Sequence, residues 1–207
     1  MKKRLIAPQL ISDQAWPRLP IIGLAGRARA GKDTVANTLK EHYQCTTYSF
    51  ATPFKQALST MLGISLHELE AASKDDQVSQ YGCTYRHKMQ SLGTEWGRDQ
   101  IHPDIWVIRA QQLLKELNAQ KPDYTIIVTD VRFANEADFI RQHGTLVHII
   151  REDAGIQSCH RSENNLYIKD NDLVIHNGSG LAELRDQALQ IAEMIHARSM
   201  QELRHAS

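Results

Sequence analysis

The run "IIGLAGRARAGKDTVA", Ile21 to Ala36, carries residues whose types and spacing could hold a phosphate. Gly26, Gly31 and Lys32 fit G-x-x-x-x-G-K. In such a loop the glycines let the backbone curl with its N–H groups inward, and the lysine reaches the β- and γ-phosphates of a nucleotide. A helix that starts there adds partial positive charge toward the anion. Asp33 follows the lysine where serine or threonine is usual. Its carboxylate could hold magnesium, directly or through water, with Arg29 offsetting its repulsion of phosphate, or it could be an ordinary charge in a helix first turn. Thr34 supplies a hydroxyl one position later, suited to a phosphate oxygen. A second cluster is "IIVTDVRF". Asp130 ends an apolar run, where a carboxylate can hold the hydration shell of magnesium or orient an acceptor group. Arg132 would project near the same edge and could fork onto a phosphate.

The elements that must position these residues are short and alternate. "PIIGLAG" reads as a buried strand and "GKDTVANTLKEHY" as a helix with Val35, Leu39 and Tyr43 on one stripe. "TTYSF" suggests a second strand, and "PFKQALSTML" a helix with proline in its first turn, stopped by Gly63. Ser65 and Glu68 have capping-box spacing for another short helix. A polar stretch from Ser73 to Tyr85 precedes two helices, about 86–97 and 103–117. "YTIIVTD" ends a buried strand at Asp130, "NEADFIRQHG" makes a helix closed by Gly144, "TLVHII" and "DLVIHNG" are strands, and "LAELRDQALQIAEMIHARSM" is a terminal helix. Strands alternating with helices imply an α/β fold, a mostly parallel sheet flanked by helices, whose ligands sit beyond the carboxyl ends of the strands. The glycine loop, Asp130 and Asn177 all fall at or just past such ends.

Composition sets the outer bounds. The 207 residues suffice for one α/β domain with an insert but are short for two full domains. Lys plus Arg equals Asp plus Glu, at 24 each, which argues against holding nucleic acid by bulk charge. Cys45, Cys83 and Cys159 form no CxxC pair, so neither a zinc knuckle nor a disulfide framework is expected. With no long apolar run and no signal-peptide pattern, the expectation is a cytoplasmic protein with no membrane partner.

Beyond the loop, the chain resembles the deoxynucleoside monophosphate kinases of tailed phages and prophages, within the P-loop nucleoside-monophosphate kinases. The residues that carry the resemblance are "GKDT", "FATPFK", "YGCTYRHKMQSLGTEWGRDQIHPDIWV", "TDVRFANEA", "HRSE" and "DLVIHNGSGLAEL", in order from about residue 20 to 190. Lysine followed by aspartate is usual in that family. Tyr85 stands where relatives often have proline. The resemblance implies a P-loop kinase fold, transfer of the γ-phosphoryl of ATP with Mg2+ to a deoxynucleoside monophosphate, and a small-molecule partner in place of nucleic acid; it leaves a homodimer open. Residues 1–19 have no counterpart and are expected as an N-terminal extension. Residues 20–198 form the kinase domain, with an acceptor-binding insert at about 52–118 and a lid at about 151–171, and 199–207 form a tail.

An acceptor site must hold one anionic phosphate and one flat base. Lys55, Arg86, Arg98, Arg109 and Arg132 are the cationic candidates, and Trp96 and Trp106 could stack on the base or belong to the core. The glycines of "GTEWGRD" favour Glu95 and Arg98, while Arg109 could be a solvated helix charge. In the polar lid stretch, Arg151 and Arg161 could close on the phosphates, whereas Cys159, His160 and Glu163 lack metal-ligand spacing. Asn177 sits where related kinases approach adenine. Two other readings remain open: another small-molecule P-loop kinase, of dephospho-coenzyme A or adenylate kinase type, and a nucleotide-dependent regulatory or packaging ATPase.

Overall fold

The apolar pairs Ile21–Ile22 and Ile126–Ile127 send neighbouring side chains to opposite faces of a sheet, and both faces are covered. A computed structural model describes residues 21–74, 77–120, 124–152 and 166–205. The expected N-terminal extension, Arg161, Cys159, His160, Glu163 and most of the expected lid lie outside the described residues.

Five strands among the described residues form one sheet in the order β2-β3-β1-β4-β5. They are β1 Ile21–Ala25, β2 Cys45–Tyr48, β3 Thr125–Val131, β4 Gly144–Ile150 and β5 Leu173–His176. All four pairings are parallel. Helix α1 (Lys32–His42) and the terminal helix α7 (Leu181–His205) cover one face, with Val35, Leu39, Leu184, Ala188 and Ile195 against Ile22, Ile127 and Ile175. The other face meets α5 (Ile105–Gln120) and α6 (Ala134–His143), through Trp106, Ala110, Leu114, Phe139 and Ile140. This is the P-loop kinase fold expected from the sequence.

Between β2 and β3 lie α2 (Thr52–Leu62), α3 (Leu66–Lys74), α4 (Tyr85–Gln90) and a π-helix, Ser91–Ile101. Gly63 ends α2 at φ 66, and Ser65 and Glu68 exchange N–H bonds at 2.7 and 3.2 Å as a capping box at the start of α3. The expected helix over 86–97 is instead α4 running into the π-helix, whose wider i→i+5 turns extend to Ile101; His102 N–H still bonds the Gly97 carbonyl at 3.1 Å. The glycines make that packing feasible. A Cβ on Gly97 would lie 2.5 Å from Trp106 Cζ2, and one on Gly93 would lie 3.0 Å from Phe54.

Gly144 ends α6 as expected, and at φ 178 it is also the first residue of β4, where a Cβ would lie 2.0 Å from the Ile21 carbonyl oxygen. One boundary differs from expectation. Helix α7 continues through His205, so the tail expected from 199 is largely helical. No helix among the described residues is long and apolar enough to cross a membrane.

Candidate active site

The glycine loop leaves the carboxyl end of β1 and opens α1. Gly26 stands at φ 151, where a Cβ would meet the Ile149 carbonyl oxygen at 2.5 Å, so only glycine lets the loop pass β4. Arg29 adopts the left-handed region at φ 64, a cost of about 1 kcal/mol for a residue with a Cβ. Gly31, at φ 110, precedes the first helical turn, and its carbonyl accepts the Val35 N–H at 3.0 Å. Inside the curl, Lys32 Nζ donates to the carbonyls of Gly26 and Arg27 at 2.7 and 2.8 Å. The lysine is thus folded over its own loop, at the helix N-terminus where an anion would be drawn.

Asn177, just past β5, donates from Nδ2 to the Ala30 carbonyl at 2.8 Å, and its own N–H bonds Ile150 O at 2.8 Å. This amide braces the loop through Nδ2, at the edge of the space where the sequence expects the nucleotide. A cavity of about 660 Å³ opens beside it, bordered by Arg29, Gly31, Lys32, Asp33, Thr34, Arg151 and Asn177 among others. The residues that the sequence assigns to the nucleotide therefore share one space, except Gly26, which borders a second cavity.

A second cavity, of about 370 Å³, lies on the other side of the loop, at the carboxyl ends of β1, β3 and β4. Its charged lining is Arg27, Arg132, Arg151 and Glu152, beside His148 and an apolar wall that includes Val131, Ile149 and Ile168. Arg132 and Arg151 are expected from the sequence; Arg27 and His148 are not. The signal for Arg27 in the sequence is its place inside the G-x-x-x-x-G-K loop.

Behind this cavity, Glu136 organises the edge of β3. Its Oε2 accepts the N–H of Arg132 and of Phe133 at 2.8 and 3.0 Å, and Oε1 pairs with Arg98 in a buried ion pair. Burial pushes the Glu136 carboxyl up to about 7, against the pull of Arg98; Asp130 adds to the rise, and the two N–H donors oppose it. Arg98 also lies 3.8 Å from the centre of the Phe133 ring and donates to the Pro103 carbonyl at 3.1 Å. With 5% of its surface exposed, Arg98 is a positioning residue that ties the π-helix to α6, and the expectation of a direct substrate contact is corrected.

Trp106 is corrected likewise: it is buried, and its Nε1 donates to the Gly93 carbonyl at 2.6 Å, so its ring packs in the core against Phe54. Asp130 is in the lining of neither cavity. Its carboxylate accepts Ser49 Oγ at 2.7 Å and the N–H groups of Phe50 and Ala51 at 2.8 and 3.1 Å, which fixes the start of α2. These three donors fill most of its acceptor capacity, so Asp130 anchors the start of the insert. Lys55 pairs with Glu70 at 2.8 Å, Glu95 with Ser91, and Arg86 reaches the Ser73 carbonyl at 3.4 Å, all within the insert and away from both cavities.

An anchor that the sequence did not suggest lies at the foot of β5. Asp172 accepts a two-pronged bond from Arg141 at 2.9 and 2.7 Å, the Lys169 N–H at 2.9 Å, and pairs with His148 Nε2 at 2.9 Å. Burial alone would raise this carboxyl, but the Arg141 fork, the Lys169 N–H and His148 outweigh it and hold it at about 2. No group of three His, Cys, Asp or Glu side chains is placed to hold a metal among the described residues. Asp33 and the Thr34 hydroxyl at the first cavity still fit magnesium, which takes few protein oxygens and keeps several waters.

A strand, a glycine loop braced by Asn177, and a helix opening onto two cavities with arginines define a phosphate-handling P-loop protein of the kinase type. The sequence profile described as Deoxynucleotide monophosphate kinase matches residues 20–81 and 66–188, and the chain belongs to that family. A relative from Acanthamoeba polyphaga mimivirus, named as a putative deoxynucleotide monophosphate kinase, is 29% identical over 84% of this chain and 96% of its own length. The Deoxynucleoside-5'-monophosphate kinase of Escherichia phage T5 is 25% identical over 72% of this chain and 86% of its own. The Deoxynucleotide monophosphate kinase of Enterobacteria phage T4 is 25% identical over 80% and 95% respectively.

Proposed function

We propose that this protein transfers the γ-phosphoryl group of ATP to the phosphate of a deoxynucleoside monophosphate. The observation that carries the reading is the glycine loop standing between two cavities, one at the N-terminus of α1 with Lys32, Asp33 and Thr34, the other with Arg27, Arg132 and Arg151. Two anionic substrates need two such spaces meeting at one loop. Arg151 borders both, a position suited to charge that moves between them.

In this reading the loop N–H groups and Lys32 hold the donor phosphates, Lys32 exchanging its two loop carbonyls for phosphate oxygens. Arg132, its backbone fixed by Glu136, directs a planar fork at the acceptor phosphate. No catalytic base is required, because the acceptor is already an oxyanion. Magnesium, held near Asp33 and Thr34, would offset phosphate charge. Arg161 remains a candidate for the same task as Arg151.

The test is a coupled assay of ADP release across the four deoxynucleoside monophosphates, the ribonucleotides and dephospho-coenzyme A. Turnover that depends on a deoxynucleoside monophosphate is expected. Turnover only with dephospho-coenzyme A or a ribonucleotide, or hydrolysis independent of any acceptor, would replace this reading with another kinase or with an ATPase.

A further inference from the structure

The glycine loop carries two arginines two residues apart, and they border different cavities: Arg27 shares the space of Arg132 and His148, whereas Arg29 shares the space of Lys32, Asp33 and Asn177. The loop backbone between the two spaces is held in place. The Arg27 carbonyl faces the helix, accepting the Ala30 N–H at 3.2 Å and Lys32 Nζ at 2.8 Å, while Arg29 takes its left-handed φ of 64 before the chain enters α1.

We propose that Arg27 binds the phosphate of the acceptor together with Arg132, while Arg29 serves the donor alone. The inference rests on the phosphotransferase reading above and goes beyond it, dividing one loop between two substrates. Among the described residues, the charged lining of the Arg27 cavity is three arginines and Glu152, a composition that suits a dianionic monophosphate. The apolar wall of Ala25, Val131, Ile149, Leu166 and Ile168 lowers the local dielectric, which strengthens a guanidinium–phosphate fork. Holding both phosphates on one short turn also fixes their separation, because the donor N–H groups and the acceptor arginine then move as a unit.

The experiment compares Arg27→Gln, Arg27→Lys and Arg29→Gln, with folding checked by circular dichroism. Steady-state KM for the preferred deoxynucleoside monophosphate is measured together with ATP affinity by calorimetry. Arg27→Gln is expected to raise the acceptor KM by roughly tenfold or more and leave ATP affinity unchanged, as for a lost charge-assisted fork. Arg27→Lys should recover part of the loss. Arg29→Gln should show the reverse split. If Arg27→Gln does not fold, a raised acceptor KM with intact ATP affinity in Arg27→Lys supports the proposal equally. An Arg27 variant that weakens ATP and spares the acceptor, or spares both, overturns the proposal. A wild-type enzyme that phosphorylates no deoxynucleotide would instead overturn the function proposed above, so the two failures are distinguishable.

Discussion

Glu136 Oε2 accepts the backbone N–H of Arg132 at 2.8 Å, so the orientation of an arginine at the cavity depends on a carboxylate that never reaches it. In the fold that carboxyl is raised from an ordinary 4.5 to about 7, first by burial, so between those values the native chain binds more protons than the unfolded one. Its contribution to stability is therefore largest below about pH 4.5 and declines as pH rises to about 7. Glu136→Gln removes the titration, so wild type should lose stability relative to this variant across that window. Urea unfolding of both proteins at several pH values tests this; a difference that stays level with pH would contradict it.

Asp130→Asn should act on the insert. The amide can keep one accepting oxygen, but its NH2 would face an N–H or hydroxyl donor that the carboxylate now satisfies. A loss of about 1–3 kcal/mol in stability is expected from the unmet donor. The acceptor KM should rise more than the ATP KM, because α2 begins the insert. Equal effects on both substrates would count against a role confined to the acceptor side.

Gly97→Ala should be among the costliest single-methyl additions in the insert, since the new Cβ would lie 2.5 Å from Trp106 Cζ2 in the core. Overpacking of this kind costs about 1–3 kcal/mol. Pairing it with Trp106→Phe, which shortens the ring but forfeits the Nε1 bond to Gly93, should relieve part of the clash. Thermal melts of the two single variants and the double would show strict additivity if the two residues were not in contact.

Asp33→Asn should raise the magnesium concentration needed for half-maximal rate, if the carboxylate rather than the Thr34 hydroxyl supports the ion beside the first cavity. A magnesium titration at saturating ATP reads this directly. An unchanged profile would leave Asp33 as a charge favourable to the helix N-terminus and nothing more.

Period and punctuation made the strands, α1, α2, the Ser65 cap and the parallel layering legible in the sequence, because each depends on local pattern. The π-helix was not legible: its apolar spacing resembles an α-helix, and the wider turn depends on Phe54 and Trp106 pressing against Gly93 and Gly97 from elsewhere in the chain. The same limit affected the site. Lys32, Asp33 and Thr34 follow from the loop motif, but Arg98 and Trp106 are residue types that serve ligands and cores alike. Only the partners distant in sequence, Glu136 for Arg98 and Gly93 for Trp106, assign them to the interior. For Arg27 the limit is different: G-x-x-x-x-G-K puts it in the phosphate loop but does not say which side of the loop it faces.

The contact between Gly144 and Ile21 also bears on how this chain can drift over generations. Its φ of 178 is open to any amino acid, yet a single methyl would enter the Ile21 carbonyl at 2.0 Å and force β4 from the central strand. Gly178, also without a left-handed φ, has nothing within 4 Å of such a methyl. A saturation library scored for folding should therefore retain glycine at 144 and accept many residues at 178, whose place beside the first cavity bears on binding instead. Two glycines indistinguishable by composition would leave opposite marks in a record of tolerated substitutions.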